Sequence, residues 1–342
     1  MIARLKKHVL NFKRPSGTSR GILNSKESWF LILEEKGIYG IGECSILSGL
    51  SHDDRPDYEQ QLQLFCEAVN KQLPLPNLLE WPSIRMGYEM ALRSLKAKDP
   101  YVLFPSDFTS GQAKIPINGL VWMGKADFME EQIETLLSKG FNCIKMKIGA
   151  IDFKQELALI ASIRNRFDAA TISIRVDANG AFAPDEALSK LEALSHYDLH
   201  SIEQPIASGQ WETMAALCRQ TPIPIALDEE LIGIHKKEEQ AQMLSQIVPQ
   251  YIILKPSLLG GFAASDQWIE LAEEHGIGWW ATSALESNVG LNAIAQWTFT
   301  KNSPMPQGLG TGSLYTNNIE CPLIIKNGYL SNNIKKNWNL KP

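Results

Sequence analysis

The chain has 342 residues, of which 44% are hydrophobic and 21% charged, and its formal net charge at pH 7 is −5. This composition is typical of a globular protein that exceeds one average domain. The negative charge argues against nucleic acid or an anionic membrane as the main partner, because both favour a basic surface. The charged N-terminus predicts no signal peptide and no apolar run is long enough to span a bilayer, so we expect a cytoplasmic protein.

The first hundred residues predict strands followed by helices. Residues 3–12 alternate apolar and polar side chains, and residues 28–44 resemble two strands joined by a tight turn. Between them, residues 14–28 are rich in Gly, Ser and basic residues and predict a long mobile loop. Residues 55–98 have the apolar spacing of helices. We therefore predict a small α+β domain over residues 1–105.

From residue 106 onward, eight short apolar runs alternate with helical patterns. The runs are KIPINGLVWMG, NCIKMKIG, ISIRVDANG, LHSIEQP, IPIALDEE, YIILKPS, GWWATSA and PQGLGTG. Repeated βα units of this kind predict a parallel sheet, and eight of them predict a (β/α) barrel over residues 106–312. The eighth run has the weakest strand pattern. Residues 313–342 include a hairpin pattern around Asn327 and Gly328, and we expect this segment to pack back on the N-terminal domain.

Carboxylates end three consecutive runs of the predicted barrel. They are Asp177, Glu203 and Asp228, and residues at the C-terminal ends of barrel strands face the active-site mouth. Three converging anionic groups would repel one another unless a cation lay among them. Oxygen ligands without His or Cys favour Mg²⁺, with Mn²⁺ as the alternative. The sequence therefore predicts a metal site at this end of the barrel.

Lysines end the runs on either side of the carboxylates. Lys145 and Lys147 are two residues apart on a strand and so share one face, and Lys255 ends the sixth run. Nearby Mg²⁺, a second ammonium and partial burial would each lower the pKa of a lysine towards neutrality. A lysine base beside a Lewis acid predicts removal of a proton next to a substrate carboxylate. Alone, each charged residue could be a solvated strand face or a helix cap; together on five successive strand ends they favour a catalytic site.

Other residues are candidates for binding a small-molecule carboxylate substrate. Gly310 and Thr311 lie in the glycine-rich end of the eighth run, and barrels commonly bind anions at the loops after strands seven and eight. Ser283 lies near the end of the seventh run, and Arg20 lies in the predicted loop, which could close over the barrel mouth. His196 and His200 are spaced as a helical metal pair, but they precede a strand and so belong to the opposite end of the barrel.

At these residues the chain resembles the enolase superfamily, in particular its muconate-lactonizing subgroup. That subgroup carries a KxK on the second barrel strand, carboxylate ligands on strands three to five and a lysine on strand six. The resemblance covers the whole chain and implies a (β/α) barrel, of the TIM-like enolase-superfamily type, with an N-terminal α+β capping domain. It also implies the roles of the residues: Asp177, Glu203 and Asp228 bind Mg²⁺, Lys147 is the base, Lys255 stands on the opposite face, and Asn179 supports the site.

Two segments narrow the resemblance within the subgroup. Residues 282–290 and 40–51 are similar to those of dehydratases of menaquinone biosynthesis, which implies a Mg²⁺-dependent dehydration of a cyclohexadiene hydroxy acid. Two alternatives use the same scaffold, N-succinylamino acid racemase and dipeptide epimerase. The epimerases carry Asp-x-Asp at the eighth strand, where this chain has GLGTGSLY. A barrel that served only as a binding module would have a broken set of charged residues, and here all five positions are filled. The sequence does not indicate an oligomeric state.

Overall fold

The N-terminal part of the chain contains an antiparallel sheet and two helices. A computed structural model describes residues 1–18 and 21–340. The strands are β1 (Ile2–Thr18), β2 (Gly21–Glu35) and β3 (Ile38–Ser45), and the helices are α1 (Tyr58–Asn70) and α2 (Pro82–Lys96). Apolar side chains of the sheet, among them Leu31 and Leu33, pack with those of both helices in one buried cluster. The predicted order of strands followed by helices is confirmed.

The prediction of a mobile loop over residues 14–28 is wrong. β1 extends into this segment as far as Thr18, β2 begins at Gly21, and the two strands pair with each other along it. The register shifts between Asn11 and Ser16, which marks a bulge. A polar, glycine-containing segment can remain extended when a neighbouring strand supplies backbone partners, so its composition alone misled the prediction. Arg20, the candidate for gripping a carboxylate, lies outside the described residues.

The barrel consists of parallel strands with helices between them, as predicted. Its seven strands are hydrogen-bonded in chain order. They are β5 (Gly119–Val121), β6 (Cys143–Lys147), β7 (Ser173–Asp177), β8 (Ser201–Glu203), β9 (Ile225–Leu227), β10 (Tyr251–Leu254) and β11 (Gly278–Ala281). The helices are α3 (Ala126–Ser138), α4 (Phe153–Arg164), α5 (Pro184–Ser195), α6 (Trp211–Gln220), α7 (Lys237–Ile247), α8 (Pro256–Leu259), α9 (Phe262–Glu274) and α10 (Asn288–Thr300).

Local signals fix several helix starts. The Asp152 side chain accepts hydrogen bonds from the backbone N–H groups of Lys154 and Gln155 and so caps α4. Pro184 opens α5, where its missing N–H costs nothing. Ser287 caps α10 by accepting from the N–H of Val289. These caps help to set where strand-to-helix connections end, and the site residues lie at the strand ends where such connections begin.

The eighth strand is reduced to two residues that complete the ring. Gln307 donates to Pro116 O and accepts from Asn118 N, at N···O distances of 2.8 and 3.0 Å. Gly308 donates to Ala281 O at 2.8 Å and accepts from the N–H of the residue after Thr282 at 3.0 Å. These bridges are parallel and link the first and last strand positions of the barrel. The weak strand pattern of the eighth run thus corresponds to a very short strand.

The C-terminal hairpin pairs with a strand at the start of the predicted barrel range. β4 (Lys114–Pro116) pairs with β13 (Tyr329–Asn332), which pairs in turn with β12 (Leu323–Lys326). The turn uses Asn327 and Gly328 at φ 51° and 72°, a conformation that these two residues favour, as predicted. The rest of the tail contacts the N-terminal part: Tyr315 bridges Phe12, and Trp338 stacks on Tyr101 at 4.3 Å. The boundaries of the two predicted domains stay a prediction.

A buried polar network joins the N-terminal sheet to the barrel. The Glu43 carboxylate accepts hydrogen bonds from Ser28 Oγ at 2.8 Å, from Ser287 N at 2.9 Å and from Gly290 N at 2.9 Å. Ser287 Oγ donates to the same carboxylate at 2.5 Å. Glu43 is fully buried, so these donors replace the water that the carboxylate loses on folding. The network therefore fixes β3 against the start of α10.

Two further properties are the state of the cysteines and the apolar character of the helices. All five cysteines carry free thiols. Among residues 1–18 and 21–340, none of the helices combines the length and the apolar character that crossing a bilayer requires.

Candidate active site

The predicted site residues come together at the C-terminal ends of adjacent barrel strands. Lys147 ends β6, Asp177 ends β7 and Glu203 ends β8, and the strand register sets Lys147 opposite Asp177 and Asp177 opposite Glu203. Asp228 directly follows β9, and Lys255 directly follows β10. Three carboxylate-bearing strands therefore lie between the two lysine-bearing strands, as the spacing predicted.

Lys145 lies between two of the carboxylates. Its Nζ is 2.8 Å from Asp177 Oδ2 and 2.5 Å from Glu203 Oε2, and its side chain is buried. Burial acts to lower the pKa of Lys145, but the charges of Asp177, Glu203 and then Asp228 outweigh it and raise the pKa. Lys147, the second lysine of the KxK, therefore has a charged neighbour in Lys145, whose positive charge balances the carboxylates.

Lys147 is held by two oxygen acceptors. Its Nζ donates to Asp177 Oδ2 at 2.9 Å and to Asn179 Oδ1 at 2.5 Å. Asn179 is itself fixed, because its N–H donates to Asp177 Oδ1 at 3.0 Å and its Nδ2 donates to Glu229 Oε1 at 2.9 Å. The Asn179 amide therefore orients the lysine. Glu229 was not singled out in the sequence; its position after Asp228 in a run of acids was the only signal.

The carboxylates fit a cation site. The oxygens of Glu203 are buried and accept no hydrogen bond among the described residues, since the contact with Lys145 is an ion pair without hydrogen-bond geometry. Burial and the neighbouring Asp177 raise the pKa of Glu203 well above its ordinary value. Burial also acts to raise the pKa of Asp177, but Lys145 and Lys147 outweigh it and lower that pKa. A buried carboxylate whose oxygens accept no hydrogen bond, beside two more carboxylates, is an environment that a hard divalent cation would satisfy.

Lys255 forms an ion pair with Asp228 on the far side of the site. Burial acts to lower the pKa of Lys255, but the charges of Asp228, Glu203 and Glu229 outweigh it and raise the pKa. The lowering of a lysine pKa predicted from the sequence concerns a lysine beside Mg²⁺ and stays a prediction. A positive charge placed among the carboxylates would act to lower the pKa of Lys255.

The three lysines of the site, Lys145, Lys147 and Lys255, line a cavity of about 770 Å³. The other predicted site residues in its wall are Ser283, Gly310, Thr311 and Asn179. Ser283 Oγ donates to Glu286 Oε2 at 2.5 Å, and Thr311 Oγ1 donates to Ser283 Oγ at 2.8 Å. These two side chains are thus ordered by hydrogen bonds before any substrate binds.

Apolar residues form much of the cavity wall. They include Leu47, Leu50, Trp122, Leu285 and Leu314. The first two belong to the loop after β3, so the N-terminal part of the chain contributes to the cavity. None of the five was singled out in the sequence, because an apolar residue in a loop has no distinguishing pattern. The cavity can hold an apolar body against this wall while a carboxylate faces the charged strand ends.

Comparisons with known proteins agree with the fold. Residues 128–333 match the family model described as Enolase C-terminal domain-like. An o-succinylbenzoate synthase from Desulfotalea psychrophila is 49% identical over 354 aligned positions, covering 94% of this chain and 96% of the relative. The crystal structure of MenC from Desulfotalea psychrophila LSv54 covers 97% of this chain and 99% of its own, with a TM-score of 0.87 and 45% identity.

A more distant relative has a different printed activity. An N-succinylamino acid racemase from Amycolatopsis sp is 24% identical and covers 92% of this chain and 88% of its own. The chain belongs to the enolase superfamily and, within it, to the family of the o-succinylbenzoate synthase from Desulfotalea psychrophila. The resemblance inferred from the strand-end residues is confirmed.

Proposed function

We propose that the chain is an o-succinylbenzoate synthase, a metal-dependent lyase. It would dehydrate 2-succinyl-6-hydroxy-2,4-cyclohexadiene-1-carboxylate to o-succinylbenzoate in menaquinone biosynthesis. The observation that carries the proposal is 49% identity to a synthase along nearly the whole of both chains. The order Lys, Asp, Glu, Asp, Lys on adjacent strand ends supports it, because that set is suited to removing a proton next to a carboxylate.

Asp177, Glu203 and Asp228 would hold Mg²⁺, with Mn²⁺ as the alternative. All three are buried at neighbouring strand ends, and Glu203 has oxygens free of hydrogen-bond donors among the described residues. When bound, the cation would supply positive charge next to the substrate carboxylate and so favour loss of the adjacent proton. It would also counter the carboxylate charges that raise the pKa of Lys255.

Lys147 would act first as base and then as acid. It is held by Asn179 and Asp177 at the edge of the cavity, and it would take the proton from the carbon that bears the substrate carboxylate. The neighbouring C–O bond then breaks, and the hydroxyl leaves with its electron pair. The same lysine returns the proton to the departing hydroxide, which gives water and an aromatic ring. One proton carrier therefore serves both halves of the reaction.

Lys255 would stand against the other face of the ring. Its ammonium can stabilise developing negative charge and contact the ring face. Ser283, Gly310 and Thr311, all in the cavity wall, would bind the rest of the substrate, and Arg20 remains a candidate outside the described residues. Lys145 is a further candidate for binding the substrate carboxylate.

The separate roles of the two domains are also proposed. Residues 1–105 would form a capping domain and residues 106–312 the catalytic barrel. Leu47 and Leu50, which reach the cavity from the loop after β3, support a role of the capping domain in specificity. The five free thiols are in keeping with a cytoplasmic enzyme.

The first test is direct turnover. The cyclohexadiene substrate is supplied with Mg²⁺, and the loss of its ultraviolet absorbance is followed. We expect turnover that a chelator abolishes and Mg²⁺ restores. Lys147→Ala should lower the rate by at least about 10²-fold, the usual contribution of a positioned acid or base. Lys71→Ala, which removes an exposed lysine directly after α1, is the matched control and should leave the rate unchanged. Near-native activity of Lys147→Ala would contradict the assigned base.

Lys255→Arg separates the dehydratase from the racemase. Arginine keeps the positive charge but cannot give up a proton, so a dehydratase should retain measurable activity. A racemase needs proton exchange on both faces of the α-carbon and should therefore lose its activity. Racemisation of N-succinylamino acids by the native protein, with no dehydration of the cyclohexadiene substrate, would overturn the proposal.

A further inference from the structure

Two histidines and a glutamate form a cluster where the N-terminal part of the chain meets the barrel. Each of His52, Glu80 and His235 offers a ligand atom that lies within 4.8 Å of those of the other two. His52 Nε2 is 2.7 Å from Glu80 Oε2. The imidazole rings of His52 and His235 are 5.0 Å apart between centroids and nearly perpendicular, at 76°. The three side chains therefore converge on one point.

The cluster contains an imidazole nitrogen that no hydrogen bond satisfies. His235 Nε2 is buried and has no partner among residues 1–18 and 21–340. Burial, and then the neighbouring His52, lower the pKa of His235, which keeps this imidazole neutral at physiological pH. A neutral imidazole has a lone pair that can bind a metal ion, and burying it without a partner is costly. The nitrogen therefore points to a ligand.

The two histidines lie on segments that also carry residues of the candidate active site. His52 lies two residues after Leu50, which lines the cavity wall, and His235 lies in the connection after Asp228, a predicted metal ligand. The two segments are closely packed: a Cβ added at Gly233 would lie 3.1 Å from His52 Nδ1. An ion bound by all three side chains would cross-link the loop after β3 to the connection after β9.

We propose that His52, Glu80 and His235 form a second metal site, which binds a transition-metal ion of the Zn²⁺ class. Two imidazoles and one carboxylate are a ligand set that Zn²⁺ binds at about 2.0–2.2 Å, with one coordination position left for water. The set differs from the three carboxylates of the barrel, which suit Mg²⁺. The bound ion cross-links the N-terminal part to the barrel, and the site does not depend on the proposed reaction.

Zn²⁺ itself is the probe. The untagged, full-length protein is saturated with Mg²⁺ so that the carboxylate site is filled, and is then titrated with Zn²⁺ by calorimetry. We expect one equivalent of Zn²⁺ to bind and the thermal midpoint to rise. His235→Ala should weaken Zn²⁺ binding at least about tenfold, since even an outer-shell partner typically contributes that much. Glu80→Gln changes an exposed side chain without affecting the fold and should also weaken it.

The control is His196→Ala, which removes an exposed histidine outside the cluster and should bind Zn²⁺ as the native protein does. Co²⁺ in place of Zn²⁺ adds a spectroscopic test, because nitrogen ligands at low coordination number give intense visible absorption that oxygen ligands at high coordination number do not. Loss of this absorption in both cluster variants supports the site. The proposal fails if the native protein binds no Zn²⁺ in excess Mg²⁺, or if His235→Ala and Glu80→Gln bind it unchanged.

Discussion

His200 lies below the active site, at the end of the barrel where β8 begins. Its ring stacks on Tyr251 at 5.1 Å and meets Trp280 edge-on at 5.9 Å, and Nδ1 lies 2.9 Å from Ser201 Oγ. Burial, and then the charge of Arg175, lower the pKa of His200 from 6.5 to about 4. The fold thus holds this imidazole in its neutral form.

The lowered pKa makes a quantitative prediction about acid stability. Because the pKa in the folded state lies below that in the unfolded chain, the folded state binds fewer protons between these values. The stability that the neutral ring contributes is complete above pH 6.5 and is lost as the pH falls through about 4. A shift of this size corresponds to at most about 3 kcal/mol. Solvent screening of the partly exposed ring reduces that figure, so we expect about 1–2 kcal/mol.

His200→Phe tests this prediction because it keeps an aromatic ring for Tyr251 and Trp280 but cannot bind a proton. Urea unfolding is measured at several pH values between 7 and 4.5. The unfolding free energy of the variant should fall less steeply than that of the native protein, by the expected 1–2 kcal/mol over this range. His196→Gln, an exposed histidine four residues earlier, should leave the slope unchanged. Parallel pH curves for the native protein and His200→Phe would refute the reasoning.

Two predictions concern the junction between the N-terminal sheet and its neighbours. Gly42→Ala should destabilise the protein by more than about 4 kcal/mol. The added Cβ would lie 1.8 Å from the carbonyl oxygen of Gly87, so the backbone contact would be overpacked. A change below about 0.5 kcal/mol in urea unfolding would contradict this. Glu43→Gln should lower the unfolding free energy by about 1–3 kcal/mol, since a neutral amide replaces the buried carboxylate that accepts from Ser287 and other donors. An unchanged urea midpoint would show that the negative charge of Glu43 contributes nothing there.

The charged strand ends could be predicted because two periodicities agree. Side chains alternate along a strand, so Lys145 and Lys147 had to share a face, and βα units of similar length had to bring Asp177 and Glu203 to the same end of the sheet. Both rules act locally or between neighbours in the chain. The site roles built on this arrangement stay proposals until the variants are measured.

Features that depend on distant partners could not be predicted. Glu43 meets Ser287 across more than two hundred residues, and nothing in either local sequence identifies the other. Residues 14–18 and 21–28 form strands because each strand supplies the other with backbone partners. The direction in which the pKa of Lys255 shifts depends on how close Asp228 and Glu203 lie. Such distances follow from packing, which a spacing pattern does not contain.

The two-residue eighth strand determines how late in synthesis the barrel can close. Gln307 and Gly308 join the first barrel strand to the last, and Tyr315 then bridges back to Phe12 in β1. During synthesis, a chain that has not yet reached residue 308 has two open sheet edges where the finished barrel has none. Such edges are sites where one chain can pair with another. A nascent chain therefore stays exposed to mispairing at these edges until Gln307 and Gly308 have been made and have paired.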